Sequence, residues 1–250
     1  MREIPQEAGT MIFGLRAIIE AILAGKEIDR LLLDRELGQS ELTRQLLQVA
    51  REHQVPVQKV PKFKLDKITR KNHQGAICFV SEVSYASLDH VISQAFTEGK
   101  NPLILILDRI TDVRNLGAIA RSAECAGVDA LVIPTQNTAQ INSDAIKTSA
   151  GALHHIAVCR EKSLLQAVRF LQESGLQVVA CTEHAAEYLY SSDLRQPTAI
   201  IMGSEDEGIA SELLKKADYL AKIPMYGKIS SLNVSVAAGI ILYEAVRQRF

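Results

Sequence analysis

Apolar residues recur along this chain with two different rhythms. In the first third, helical and strand spacings alternate over short stretches. "GLRAIIEAILAG" carries helical periodicity and closes at Gly25, which predicts a helix with a glycine at its C-terminal end. "RLLLD" predicts a short strand, "SELTRQLLQVAREH" an amphipathic helix capped by Ser40, and "VPVQKV" and "AICFV" two more strands. Together they predict a small α/β domain over residues 1–82, with a basic segment between its last two strands. "YASLDHVISQAFTEG" reads as helical, so residues 83–101 form a linker and a first helix.

From residue 102 to residue 250 the rhythm strengthens. Continuous apolar runs appear at "LILIL" (103–107), "ALVI" (130–133), "HIAVC" (155–159), "QVVAC" (177–181), "AIIM" (199–202) and "LAKI" (220–223), with helical patterns between most of them. Uninterrupted apolar strands alternating with helices predict a parallel sheet covered on both faces. In such sheets ligands bind at the carboxyl ends of strands, so the loops after the strands carry the chemistry. The last segment, "GKISSLNVSVAAGIILYE" (227–244), is apolar from Val236 to Tyr243 yet opens with Ser230, Ser231, Asn233 and Ser235. One such residue suffices to cap a helix. The surplus predicts a helix start that faces an electron-rich ligand. Val234, Ala237, Ala238, Ile241 and Ala245 share one face of this helix, and Val236, Ile240 and Tyr243 extend the apolar surface around it. A helix apolar on nearly all sides is buried on nearly all sides, by its own sheet or by a second copy of the chain.

Composition narrows the function classes. The net charge of −1 over 250 residues means that any nucleic-acid binding comes from a local patch. Cys78, Cys125, Cys159 and Cys181 form no CxxC pair and each sits in an apolar run or helical pattern, as core residues do. His154 and His155 have no ligand-spaced partner, so no metal is expected. "MREIPQEAG" is polar and unlike a signal peptide, and no apolar run reaches the ~18 residues of a membrane span. A reduced, cytoplasmic protein is expected.

Three loops are chemically unusual. In "LDRITDVRNLGAIARSAECAG", Leu116, Ile119, Ala120, Ala123 and Ala126 form a buried helix face. Asn115 stands near the helix start and Arg121 beside that face, where a surface pair with Glu124 is the plain alternative to a ligand role. In "IIMGSEDEGI", a strand ends at Met202, Gly203 permits close backbone approach, and Glu205 follows; taken alone, this stretch is better explained as an acidic turn bounded by glycines. In "IPMYGKISSLNVSVAAG", "GKIS" suggests a phosphate loop, but Lys222 stands where that motif needs glycine. No GxGxxG follows a strand either, which weakens a nicotinamide enzyme and the common Gly-rich methyltransferase.

"NLGAIARSAECAG", "MGSEDEGI" and "IPMYGKISSLNVSVAAGI", in that order near strand ends, resemble the three motifs of the SpoU (TrmH) family of RNA ribose 2′-O-methyltransferases. The resemblance covers residues 100–250, and the N-terminal part is similar to the extra domain of the ribosomal-RNA members through "IFGLRAIIEAI" and "NHQGAICFV". It implies an α/β fold with a SPOUT-type parallel sheet closed by a trefoil knot, preceded by a small α/β domain like that of a ribosomal protein. It also implies a homodimer through the C-terminal helix and S-adenosylmethionine as cofactor. Asn115, Arg121, Glu205, Ser231 and Asn233 fall at the family's catalytic positions, and Gly203, Ile223, Met225, Leu232 and Ser235 at its cofactor-binding ones. Arg121 is the family's proposed base or phosphate anchor. A guanidinium stays protonated and grips phosphate with two N–H groups, which favours the anchor. The implied reaction is methyl transfer to a ribose 2′-hydroxyl, with a guanosine of large-subunit ribosomal RNA as the leading target. Transfer RNA is the alternative, and a non-catalytic RNA-binding protein the remaining one.

The basic segment of the small domain fits this reading. Lys59, Lys62, Lys64, Lys67, Arg70 and Lys71 stand against one acid, Asp66, with Phe63 among them. Cations contact phosphates and an aromatic ring can stack on a base, whereas a solvated loop needs neither. His73 and Gln74 either touch RNA or shape the turn before "AICFV".

Overall fold

The computed structural model describes residues 10–250, which form two compact units. The smaller runs to Ser84 and takes in Ile141–Ser143. Its sheet has the order β1-β4-β2-β3, from β1 (Met11–Phe13), β2 (Ile28–Asp34), β3 (Val57–Val60) and β4 (Ala76–Val80). β2 lies parallel to β3 and antiparallel to β4, and β1 adds antiparallel to β4. Leu31 and Leu33 pack with Ile18 and Ile22 of α1 (Leu15–Leu23) and Leu46 of α2 (Glu41–Glu52). Leu32, out of phase by one, packs instead with Leu65 of α3 (Lys62–Ile68). The two-residue period of the strand therefore sends "LLL" to both faces. α1 ends as its sequence predicts, with Gly25 at φ +75. At the start of α2 the Ser40 hydroxyl accepts the Thr43 N–H at 3.1 Å. α3 is not legible in the hydrophobic pattern, because Leu65 is its one buried residue and leaves no periodic stripe.

The larger unit comprises Tyr85–Gln140 and Asp144–Phe250. Its strands are β5 (Tyr85–Ala86), β6 (Leu103–Asp108), β7 (Ala130–Pro134), β8 (Ala157–Glu161), β9 (Gln177–Cys181), β10 (Glu187–Tyr188), β11 (Thr198–Gly203) and β12 (Tyr219–Lys222). They form one sheet in the order β10-β12-β9-β11-β6-β7-β8-β5, with every pairing parallel. Ile104 and Ile106 pack with Ile92 of α4 (Leu88–Thr97) and Val168 of α7 (Leu164–Glu173). Leu103, Leu105 and Leu107 are also buried and face the other side, so both faces of the sheet are covered. The remaining helices are α5 (Val113–Cys125), α6 (Ser143–Thr148), α8 (Ser211–Lys216) and α9 (Val234–Arg249), and α9 packs on α5 and β11. Among the described residues no helix is long and apolar enough to cross a membrane.

The far end of α9 is clasped. The Arg249 guanidinium donates to the carbonyls of Asn101 at 2.7 Å and of Leu194 and Gln196 at 2.8 Å each, and Gln248 accepts the Leu194 N–H at 2.8 Å. Within one chain α9 is not buried all round: Val236 and Tyr243 are 51% and 53% exposed. The cysteines also divide. Cys78 and Cys159 are buried, and desolvation pushes both thiols up to about 12, but Cys125 is exposed and is no core residue. It lies at the last position of α5, past the buried stripe.

Candidate active site

β12, β9 and β11 are neighbours and all parallel, so their C-terminal ends arrive side by side. The loops leaving them enclose a cavity of about 480 Å³. Its apolar lining includes Leu189, Met202, Ile209, Ile223 and Leu232, and its charged lining includes Glu183, Glu205, Asp206, Glu207 and Lys222. Gly203, Met225, Ser231 and Asn233 also line it. Cys181 forms part of the wall, and desolvation pushes its thiol up to about 12.

β11 ends at Gly203. A Cβ there would stand 2.1 Å from the Gly208 carbonyl carbon and 2.3 Å from the Ile209 nitrogen, so only glycine fits. The close approach expected for a ligand is in fact made by the chain's own backbone. The turn is closed by the Gly208 N–H, which donates to the Ser204 carbonyl at 3.0 Å, with Gly208 at φ +64. Arg109, at φ +57 just past β6, fastens the turn from outside. Its Nε and Nη2 donate to the two oxygens of Asp108 at 3.1 Å each, Nη2 also to the Gly208 carbonyl at 3.1 Å, and Nη1 to Glu207. Asp108 is buried and accepts the Ala210 N–H at 2.7 Å. Its hydrogen bonds to Arg109 push the guanidinium further up.

The turn presents Glu205 to the start of α9. Glu205 Oε1 accepts from Asn233 Nδ2 at 2.6 Å and from the Val234 N–H at 3.2 Å. Asn233 Nδ2 donates as well to Asn115 Oδ1 at 3.0 Å. Asn233 Oδ1 accepts the Ser235 N–H at 3.0 Å and the Val236 N–H at 3.4 Å, so Asn233 is the N-cap. The helix therefore starts at Val234, and Ser230 and Ser231 stand before it in an exposed loop rather than in a first turn. Ser235 completes the cap, its hydroxyl donating to Asn233 Oδ1 at 2.5 Å, and it does not line the cavity.

The structure thus brings together Asn115, Glu205 and Asn233 by hydrogen bonds, with Ser231 on the same cavity wall. It does not bring Arg121 there. Arg121 is exposed on α5, does not line the cavity, and forms no ion pair with Glu124. Thr182, Glu183 and His184, after β9, line the cavity but carry no motif. The rule that ligands sit at strand C-termini, applied to "QVVAC" as well, is the signal that finds them. Arg109 and Asp108 are equally unmarked in sequence, since their partners lie 98 to 102 residues away.

In the smaller unit, Lys59, Lys62, Lys64, Lys67, Arg70 and Lys71 are all exposed, and Phe63 is 55% exposed with the Lys67 ammonium 5.5 Å from its ring centre. His73 and Gln74 are given internal work. His73 is buried, pairs through Nε2 with Asp66 at 2.9 Å and accepts the Gly75 N–H on Nδ1 at 3.0 Å. Gln74 Oε1 accepts the Leu15 N–H at 3.2 Å and caps α1, whose N-cap, Gly14, has no side chain to do so.

Comparison with known proteins bears on the whole arrangement. The family model described as SpoU rRNA Methylase family matches residues 102–243, and the one described as RNA 2′-O ribose methyltransferase substrate binding matches residues 11–86. A tRNA/rRNA methyltransferase of Synechocystis sp. is 37% identical over 99% of this chain, which spans 65% of that protein's length. A TrmH family tRNA/rRNA methyltransferase of Bacillus subtilis is 34% identical over 95% of each. The crystal structure of an AdoMet-bound rRNA methyltransferase from Sinorhizobium meliloti superimposes with a TM-score of 0.61 at 27% identity, covering 96% of this chain and 87% of that one. A TrmH/SpoU tRNA modifying enzyme of A. aeolicus reaches a TM-score of 0.56 at 30% identity, covering 64% of this chain and 84% of its own.

The cavity fits the S-adenosylmethionine that the Sinorhizobium meliloti structure holds. Its volume lies in the range of roughly 300–1,000 Å³ typical of small-molecule sites. Its apolar walls suit a purine, and the carboxylates of Glu183, Glu205 and Asp206 suit a sulfonium cation. With its larger unit matched to the methylase model and its smaller unit to the substrate-binding one, the chain belongs to the SpoU family of S-adenosylmethionine-dependent RNA ribose 2′-O-methyltransferases.

Proposed function

We propose that the chain methylates a ribose 2′-hydroxyl in ribosomal RNA, with a guanosine of the large-subunit RNA as the target. One observation carries the preference: the chain carries a second unit of the family's substrate-binding type in addition to the methylase unit. The ribosomal-RNA enzyme superimposes over 96% of this chain, whereas the tRNA modifying enzyme covers 64% of it. The test is to map 2′-O-methyl groups in ribosomal and transfer RNA from cells with and without this protein. A mark lost from transfer RNA alone would overturn the ribosomal reading.

S-adenosylmethionine supplies a methyl group on a positively charged sulfur. The protein's task is to hold the acceptor ribose in line and to receive or pass on its proton. Asn233, its amide taken up by Glu205, Asn115 and the start of α9, fixes this wall of the cavity, and Ser231 lies on the same wall. These groups orient the ribose. Arg121 anchors the neighbouring phosphate, a role suited to an exposed guanidinium with free N–H groups. Because it stands away from the cavity of its own chain, it fits a site completed by a second copy.

A homodimer through α9 is part of this reading. Val236, Ile240 and Tyr243 follow i, i+4, i+7 spacing, and within one chain Val236 and Tyr243 stay half exposed on either side of a partly covered Ile240. Tyr243→Glu should convert a dimer to monomers in sedimentation at micromolar concentration, because a carboxylate buried in an apolar interface lacks a partner. A wild-type protein that sediments as a monomer would remove the basis for this.

The exposed cations of α3 and its flanks take the RNA backbone. Neutralising Lys62, Lys64 and Lys67 together should weaken RNA binding and flatten its dependence on salt. The slope should fall by about 0.7 for each phosphate of a single strand that is no longer neutralised. Cofactor affinity should not change. Filter binding at several salt concentrations reads the slope, and an unchanged slope would leave the basic run as a solvated surface.

A further inference from the structure

The geometry points to Arg109 as a positioning residue for methyl transfer, acting on Glu205 through the Gly203–Gly208 turn. This inference rests on the methyltransferase reading above. Arg109 adopts φ +57, a left-handed conformation that bulky residues rarely take, and its guanidinium curls back to three anchors. Two of them belong to the turn, the Glu207 carboxylate and the Gly208 carbonyl, and the third is the buried Asp108 at the end of β6. Asp108 in turn takes the Ala210 N–H, just beyond the turn. The ends of two adjacent strands, β6 and β11, are thereby tied across their loops.

The consequence falls on Glu205. Its two neighbours in sequence toward Gly208 are Asp206 and Glu207, and only the second is held from outside. Glu205 holds Asn233 Nδ2 at 2.6 Å and the Val234 N–H at 3.2 Å, and with them the start of α9 on the cavity wall. If the turn rotates, Glu205 moves away from Asn233, and the bridge from Asn233 to Asn115 at 3.0 Å is released as well. Of the cavity's lining groups, Arg109 hydrogen-bonds to the turn residues Glu207 and Gly208, so it acts through them.

The experiment is single-turnover methyl transfer from labelled S-adenosylmethionine into RNA, at saturating cofactor and RNA, for wild type, Arg109→Gln, Glu207→Gln and Glu205→Gln, with the double variant Arg109→Gln/Glu205→Gln. Arg109→Gln should lower the rate by ~10²-fold, the scale of a reacting group misplaced by an ångström, with RNA affinity unchanged. Glu207 is 71% exposed, so Glu207→Gln should leave the fold intact and lower the rate by a smaller factor in the same direction. The double variant should be no slower than the slower single one, because both changes interrupt one chain of contacts. A purely structural role would leave the Glu207→Gln rate at the wild-type value and make the losses of the double variant multiply. Either result, or an Arg109→Gln rate within about threefold of wild type, overturns the inference. A wild-type protein that transfers no methyl group to any RNA would overturn the methyltransferase reading instead.

Discussion

Gly203→Ala is expected to abolish measurable cofactor binding at concentrations that saturate the wild type. The added Cβ would stand 2.1 Å from the Gly208 carbonyl carbon and 2.3 Å from its oxygen, both of them backbone atoms that no rotamer can move. The turn from Ser204 to Gly208 must open, which breaks the 3.0 Å hydrogen bond closing it and shifts five residues that line the cavity. Overpacking of this kind costs about 1–3 kcal/mol of stability. The turn is part of the cavity wall itself, so the same displacement that costs stability also removes the cofactor's binding surface. Calorimetry with S-adenosylmethionine, beside a thermal melt, reads both. Gly227→Ala is the control: it stands in the next cavity loop, but a Cβ there meets nothing closer than the Ile229 nitrogen at 4.0 Å. It should bind the cofactor as the wild type does. Normal affinity in Gly203→Ala would mean that the turn does not shape the cofactor site.

How much of this was legible in the sequence depends on the kind of signal. Buried parallel strands are written as unbroken apolar runs, so "LILIL" and "AIIM" fall inside β6 and β11. The two-residue strands β5 and β10 and the three-residue β1 leave no such run, because strands this short are defined by their partners. α3 escapes for a related reason, since one buried leucine makes no periodicity. The polar start of the last helix was legible as a functional stretch, but its boundary was not. Four small polar residues compete for the cap, and it falls to Asn233, whose Oδ1 takes the Ser235 and Val236 N–H groups while Glu205 and Asn115 hold its Nδ2 from elsewhere in the fold. Motif residues that meet in space, such as Asn115, Glu205 and Asn233, could be named in advance by family resemblance, but not their hydrogen bonds. Arg109 could not be named at all. Its significance lies in a contact across 98 positions, which spacing cannot show.

Arg121→Ala is expected to lower methyl transfer by ~10²-fold or more while RNA still binds, as loss of an aligning group does. The reason is its chemistry together with its place. Arg121 is exposed on α5 and unpaired with Glu124, so its removal breaks no internal contact and should leave the melting temperature near that of wild type. Its place raises a sharper expectation. α5 packs against α9, and α9 leaves Val236 and Tyr243 half exposed on the stripe assigned to the dimer. In a two-fold dimer each chain can lend Arg121 to the cavity of the other. Arg121→Ala and Glu205→Gln should each be nearly inactive alone. Unfolded and refolded together, they should recover about a quarter of wild-type activity, because half of the dimers are mixed and each mixed dimer holds one intact site. Tritium transfer into ribosomal RNA measures this. If the mixture stays inactive while each variant dimerises, Arg121 serves its own chain's site. If Arg121→Ala alone keeps full turnover, the residue has no part in the reaction and the assigned catalytic centre is wrong.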